Sequence, residues 1–145
     1  MSQILEGDIT NICCGTIVHQ VNCQGAIGAG VSGAIIQKWP EVESAYRYKC
    51  YEQKPEELYG DTQVVQINRD LRVVNLYTQL NYGNAKKTGI VYTDVNRLVQ
   101  ALRDVCKDFS TVYAPYGIGC GLAGADWDDL YTRIKDLPIT FIKKV

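Results

Sequence analysis

The chain has 145 residues, about one ordinary domain, with 46% of them hydrophobic and 21% charged, a composition normal for a folded globular protein. Fifteen Lys and Arg against sixteen Asp and Glu leave a formal charge of -1. That balance argues against a protein that holds nucleic acid by displacing counterions with clustered basic side chains, and sequence-specific nucleic-acid binding is not expected either. No apolar run reaches the roughly 20 residues of a membrane span, so no membrane partner is expected.

A near-neutral protein still binds anions where backbone N–H groups supply the donors, which makes the 13 glycines more informative than the lysines. Six cysteines (Cys13, Cys14, Cys23, Cys50, Cys106 and Cys120) lie in apolar or loop stretches without CxxC spacing, and His19 is the single histidine. No recognisable Cys/His zinc set is available, so neither a metal nor a cofactor is expected. No charged segment followed by an apolar run opens the chain. Free thiols in a reducing cytoplasm are the expectation.

In chain order, Ile4-Leu5-Glu6 is strand-like and Gly7-Asp8-Ile9-Thr10 turns away from it. Gly15 to Cys23 is β-branched at its centre and bounded by glycine on both sides, the pattern of a buried strand. Gly25, Gly28, Gly30 and Gly33 follow, and Ala34 to Lys38 carries helical periodicity until Pro40 stops it. Glu41 to Gln53 reads as a second helix with Val42, Ala45 and Tyr46 inward. Thr62 to Ile67 and Leu71 to Tyr77 are two strands joined by the hairpin turn Asn68-Arg69-Asp70. Thr93 to Lys107 is an amphipathic helix with Thr93 as candidate N-cap. Thr111 to Ala114 is a short strand running into the glycine-rich Pro115 to Leu122, and a Trp127 to Leu137 helix precedes a last strand, Ile139 to Ile142. With no repeat or linker in view, residues 1–145 are read as a single domain.

Strands interleaved with helices predict an α/β fold with a sheet covered on both faces, and the hairpin makes that sheet mixed rather than wholly parallel. Both glycine-rich loops leave the carboxyl end of a predicted buried strand, where such sheets place ligands. The first, Gly28-Ala29-Gly30-Val31-Ser32-Gly33, matches G-x-G-x-x-G literally. A Rossmann unit, however, needs a second parallel strand ending in an acidic residue about 20 residues on. Here that distance falls near Glu52 and Gln53, in a polar helix, and Cys23 to Gly28 is too long for the tight Rossmann turn. A P-loop is excluded because no Gly-Lys-Ser/Thr follows the glycines.

Gly7-Asp8-Ile9-Thr10, then Val21-Asn22-Cys23-Gln24-Gly25 through Gly28-Ala29-Gly30-Val31, then Pro115 to Leu122 before a Trp-led helix resemble the macro domain family in order and interval across essentially the whole chain. The resemblance implies a three-layer α/β/α sandwich and an ADP-ribose site. By it, Asp8 and the Ile9 amide serve adenine. Gly28, Ala29, Gly30 and Val31 hold the distal ribose side and one phosphate, and Asn22 reaches the distal ribose hydroxyls. Gly117, Ile118, Gly119, Cys120, Gly121 and Leu122 wrap the diphosphate. Leu76, Tyr77 and Thr78 lie along the proximal ribose and adenine, while Gln24 and Pro115 belong to the same binding motifs. The partner is thus ADP-ribose or a derivative, and the protein is expected to be a cytoplasmic monomer.

Members of that family divide into readers that only bind and hydrolases that act at the distal ribose. One glycohydrolase branch uses a lysine after the hairpin strand and an aspartate after Gly-Cys-Gly-Leu. Here Ala123 stands at the second position, and Lys86 and Lys87 lie a few residues before the place expected for the first. Ile17 to Gly25 is instead similar to the matching segment of ADP-ribose-1''-phosphate phosphatases, including a histidine three residues before the Asn. The expectation is hydrolysis of ADP-ribose 1''-phosphate, with Asn22 orienting the ribose and either His19 or a bound phosphate oxygen taking the proton. ADP-ribosyl glycohydrolysis and non-catalytic binding are the alternatives. Strand alternation sends His19 and Val21 to one face and Gln20 and Asn22 to the other, so a regular strand turns His19 away from any ligand that Asn22 faces, and only a bulge reverses this.

Overall fold

The β-branched run after Gly15 becomes the central strand of a six-stranded sheet in the computed structural model, which describes residues 1–145. The strands are β1 (Gln3–Glu6), β2 (Gly15–Asn22), β3 (Thr62–Gln66), β4 (Leu71–Gln79), β5 (Val112–Pro115) and β6 (Ile139–Lys143), in the spatial order β1-β6-β5-β2-β4-β3. Every neighbouring pair is parallel except the hairpin β3–β4. The mixed sheet expected from the sequence is therefore present, with one antiparallel edge strand.

Parallel strands covered on both faces read as continuous apolar runs, and Ile17-Val18 and Val73-Val74 are fully buried. The two residues of each pair point to opposite faces. Ile17 and Val73 pack with Ile35 of α1 (Gly30–Lys38), Val42 of α2 (Pro40–Glu52) and Trp39 at the junction between them. Val18 and Val74 pack with Leu98 and Leu102 of α5 (Val95–Asp108) and Leu130 and Ile134 of α6 (Trp127–Ile134). Each such aliphatic side chain contributes about 1.5–3 kcal/mol on burial. Two layers of helix on one sheet make the α/β/α sandwich. Trp127 packs α6 down through Tyr116, Tyr131 and Phe141. No helix is long and apolar enough to cross a membrane.

Several boundaries differ from the sequence reading. The first helix begins at Gly30 rather than Ala34, so the last four residues of the G-x-G-x-x-G run are helix and not loop. Asp94, not Thr93, caps α5, its carboxylate accepting from the Arg97 amide. The Thr93 hydroxyl is engaged elsewhere, donating to the Gly119 carbonyl. Two single-turn helices, α3 (Pro55–Leu58) and α4 (Ala85–Thr88), and a 3-10 turn at Ile9–Asn11 are too short to leave a periodic signal.

The last glycine of the first loop has a packing reason. A Cβ on Gly33 would stand 2.5 Å from the Gly28 carbonyl oxygen, so the loop lies directly on the helix it starts. Gly33→Ala is expected to lower stability by about 1–3 kcal/mol through this overlap. Chemical denaturation reads it as a lower midpoint at unchanged slope; an unmoved midpoint would show that the loop has room to lift away.

Candidate functional site

Beyond the carboxyl ends of β2 and β5, two adjoining cavities of about 500 and 280 Å³ form one cleft. They share Gln20, Ala29, Ser32, Leu122 and Ala123. The larger runs toward Asn22, Ile27, Gln79 and Tyr82, and the smaller runs between the start of α1 and the second glycine loop. No Asp, Glu, Lys, Arg or His lines either one.

What the cleft offers is backbone. In the second loop Tyr116, Ile118 and Cys120 donate their amides within the protein, whereas Gly117, Gly119, Gly121, Leu122 and Ala123 have no protein acceptor for theirs. Gly117 and Gly119, at φ +76° and +75°, sit in the left-handed region, which alternates the direction of successive N–H groups and makes an anion-binding concavity. Across the cleft α1 starts without a side-chain cap, and the amides from Ile27 to Ser32 likewise find no protein acceptor. The positive end of the α1 dipole adds to them. Two facing rows of unpaired donors with no cation nearby suit an extended, doubly anionic group.

Side-chain amides hold both rows in place. Asn22, at the end of β2, accepts from the Gln24 and Ala26 amides and from the Tyr46 hydroxyl, and donates to the Ala26 carbonyl. Gln20 accepts from Thr78 and donates to Gln79 and Thr93. Arg47 anchors the Gly25 carbonyl from outside.

No family model matches this chain. The DNA ADP-ribosyl glycohydrolase of Mycobacterium tuberculosis is 26% identical over 132 residues, 89% of this chain but 36% of that protein. The chain thus spans about a third of the length of the curated relatives it matches. A protein of unknown function from Bacteroides thetaiotaomicron superposes with a TM-score of 0.84 at 28% identity, covering 100% of this chain and 98% of the other. The macrodomain of Mycobacterium tuberculosis DarG superposes with a TM-score of 0.73 at 23% identity, covering 99% and 97%. The fold is that of a macrodomain.

On this fold the residues singled out from sequence divide into two groups. Asn22, Gly28, Ala29, Gly30, Val31, Pro115, Gly117, Ile118, Gly119, Gly121 and Leu122 line the cleft. Asp8 and Ile9 border neither cavity. Asp8 caps the 3-10 turn, and the Thr10 hydroxyl and amide on its Oδ1 hold its carboxyl below the usual range. Its Oδ2 is uncommitted. Gln24 is turned to Leu80 and Asn81, tying the first loop to the end of β4.

Four expectations are corrected. Tyr77 does not line the site: it is fully buried, stacked on Tyr46 at 5.8 Å and donating to Gln63. Thr78 is also buried, its hydroxyl donating to Gln20 at 2.7 Å. The Cys120 side chain borders a separate cavity behind the second loop, beside Lys86, and burial pushes its thiol up to about 11. His19 touches no part of the cleft. It is fully buried with both ring nitrogens engaged, by Ser32 and Asn75, and desolvation lowers its pKa to about 4 although the Asn75 bond opposes this. The β2–β4 register does shift between Val21 and Asn22, and Tyr46 of α2 reaches Asn22 from the layer that His19 faces. That irregularity still leaves His19 inside the core.

Gln20, Ser32, Gln79 and Tyr82 were missed. Ser32 fills a variable position of the G-x-G-x-x-G run and the others carry no motif; the pairing of β2 with β4 brings Gln20 beside Gln79, and the start of α1 adds Ser32.

A His pKa depressed on folding adds stability that is complete above the unfolded value near 6.5 and is lost as pH falls through about 4. Thermal melts are expected to weaken across that window, with His19 accounting for up to about 3 kcal/mol. In His19→Gln this part of the slope disappears; an identical slope in the variant would place the acid sensitivity in other groups.

Proposed function

We propose that this chain binds ADP-ribose derivatives in the cleft and hydrolyses the bond at the distal C1'' position, releasing phosphate from ADP-ribose 1''-phosphate. The single observation that carries the reading is the pair of loops with unpaired amides, those from Ile27 to Ser32 and those of Gly117, Gly119, Gly121, Leu122 and Ala123, on either side of a cleft with no charged side chain. Such donors match a diphosphate and need no reorganisation on binding. Asp8, with one free carboxylate oxygen, is the group proposed to take the adenine amino hydrogen.

For hydrolysis, the same absence of charge removes a side-chain nucleophile or base. Ala123 replaces the acid of the lysine–aspartate arrangement, and Lys86 borders the cavity behind the second loop rather than the cleft. Catalysis would then consist of holding a water against the scissile group. A 1''-phosphate monoester brings an anionic oxygen at the reacting centre to take the proton from that water, whereas a glycosidic bond to a macromolecule leaves only the more distant diphosphate oxygens. This favours the phosphatase reading. Removal of ADP-ribose from modified DNA or protein is the second reading, favoured by the glycohydrolase name of the mycobacterial relative.

Titration calorimetry with ADP-ribose is expected to show 1:1 binding that Asp8→Ala weakens about tenfold, the loss of a hydrogen bond to a charged group. Heat with NAD and none with ADP-ribose would sink the reading. Phosphate release from ADP-ribose 1''-phosphate then separates the phosphatase from the glycohydrolase, which instead frees ADP-ribose from modified DNA.

A further inference from the structure

Ser32 stands where the two cavities meet, in the first turn of α1, and its hydroxyl is the end of a hydrogen-bond chain that crosses the core. The chain starts at a group whose role is fixed by chemistry. The Ala45 carbonyl of α2 only accepts, so the Gln63 side chain must present Nε2 to it, at 2.9 Å. Gln63 Oε1 therefore faces the sheet and accepts from Asn75 Nδ2 at 3.0 Å and from the Tyr77 hydroxyl at 2.8 Å. That turns Asn75 Oδ1 toward His19 Nε2, which must carry the proton. A neutral imidazole then has a bare Nδ1, 2.8 Å from Ser32 Oγ, and the serine proton points at it. The Gln20 carbonyl competes for that proton from 3.2 Å, but giving it up would leave a buried ring nitrogen without a partner.

A serine hydroxyl has one proton and two lone pairs. With the proton held inward, Ser32 shows the cleft an acceptor only, amid backbone groups that are otherwise donors. Phosphate oxygens are themselves acceptors and gain nothing from it, while a sugar hydroxyl does. We propose that Ser32, held proton-inward by His19, takes a hydrogen bond from a hydroxyl of the distal ribose, so that the cleft prefers ADP-ribose over ADP. This rests on the ADP-ribose reading of the cleft. It also gives His19 a part as a positioning residue, acting through Ser32 without touching the ligand.

The test pairs a titration with a spectrum. In Ser32→Ala, affinity for ADP-ribose is expected to fall about 5–10-fold and affinity for ADP less than twofold, one neutral hydrogen bond's worth of selectivity. Equal losses for both ligands would make Ser32 a phosphate contact and overturn the proposal, as would no loss for either. Because the variant leaves His19 Nδ1 unpaired and could fold poorly, the imidazole nitrogen shifts of the unmodified protein at neutral pH give an independent reading. A protonated Nε2 and a hydrogen-bonded, unprotonated Nδ1 are expected; a proton on Nδ1 overturns the assignment whatever the titrations show. An unmodified protein that takes neither ADP nor ADP-ribose overturns the ligand assignment through the reading beneath it, and the imidazole spectrum distinguishes that failure from an error in the relay.

Discussion

The carboxamide of Gln20 adds a side-chain tie among three segments that touch through only a few backbone hydrogen bonds, Gln79 bridging Thr93, the Asp94 amide donating to Thr78 and the Tyr92 amide to Ala123. Its Oε1 receives the Thr78 hydroxyl at 2.7 Å, and its Nε2 donates to Gln79 Oε1 and to Thr93 Oγ1, which itself donates to the Gly119 carbonyl. One side chain from β2 therefore sets the end of β4, the entry to α5 and the second glycine loop relative to one another. Both amide protons are committed, and the amide forms the floor of the cleft. Removing it would strand Thr78, buried in low dielectric, without its acceptor, which costs more than the bond itself is worth. The spacing of the two amide rows depends on this floor.

Asn22 does for the first loop what Gln20 does for the second. Its oxygen gathers the Gln24 and Ala26 amides and the Tyr46 hydroxyl, and its nitrogen takes the Ala26 carbonyl. In both loops neutral side chains absorb the local constraints, which leaves backbone N–H groups without a protein acceptor. The anion-binding capacity thus comes from dipoles fixed by folding, in keeping with a net charge of only -1. A cleft built this way selects by shape and by the order of donors and acceptors, because no cation is present to attract anions indiscriminately.

The strands and both loops were legible because each is a local pattern: β-branched runs, glycine spacing, and turn residues at fixed offsets. Asn22 was legible through its motif. Tyr77 and Thr78 were misplaced because they follow the motif-bearing strand in the right order, yet the face that each side chain takes depends on Gln63 and Gln20, residues far away in the chain. His19 was the chemically obvious residue, and alternation along β2 already warned that it faces the core. Gln20 had no local signal, and Ser32 held only a variable position within the glycine motif. Their importance comes from partners 58 and 13 residues away, and such pairings exist only after the sheet has formed.

Along β2 and β4 the side chains change character from one end to the other. Ile17, Val18, Val73 and Val74 fill the two helix-facing cores at full burial, and beyond them come His19, Gln20 and Asn22 on one strand and Asn75, Thr78 and Gln79 on the other. No buried side-chain polar atom is left without a partner. The same two strands therefore carry apolar burial along their whole length, through Val21, Leu76 and Tyr77 as well, and add a satisfied polar network near their carboxyl ends, where the cleft opens. Buried polar groups of this kind tolerate little rearrangement, since each shift opens an unpaired donor or acceptor. That intolerance keeps the loops in register with the sheet, so the network that interleaves with the buried Val21, Leu76 and Tyr77 gives the cleft a fixed shape.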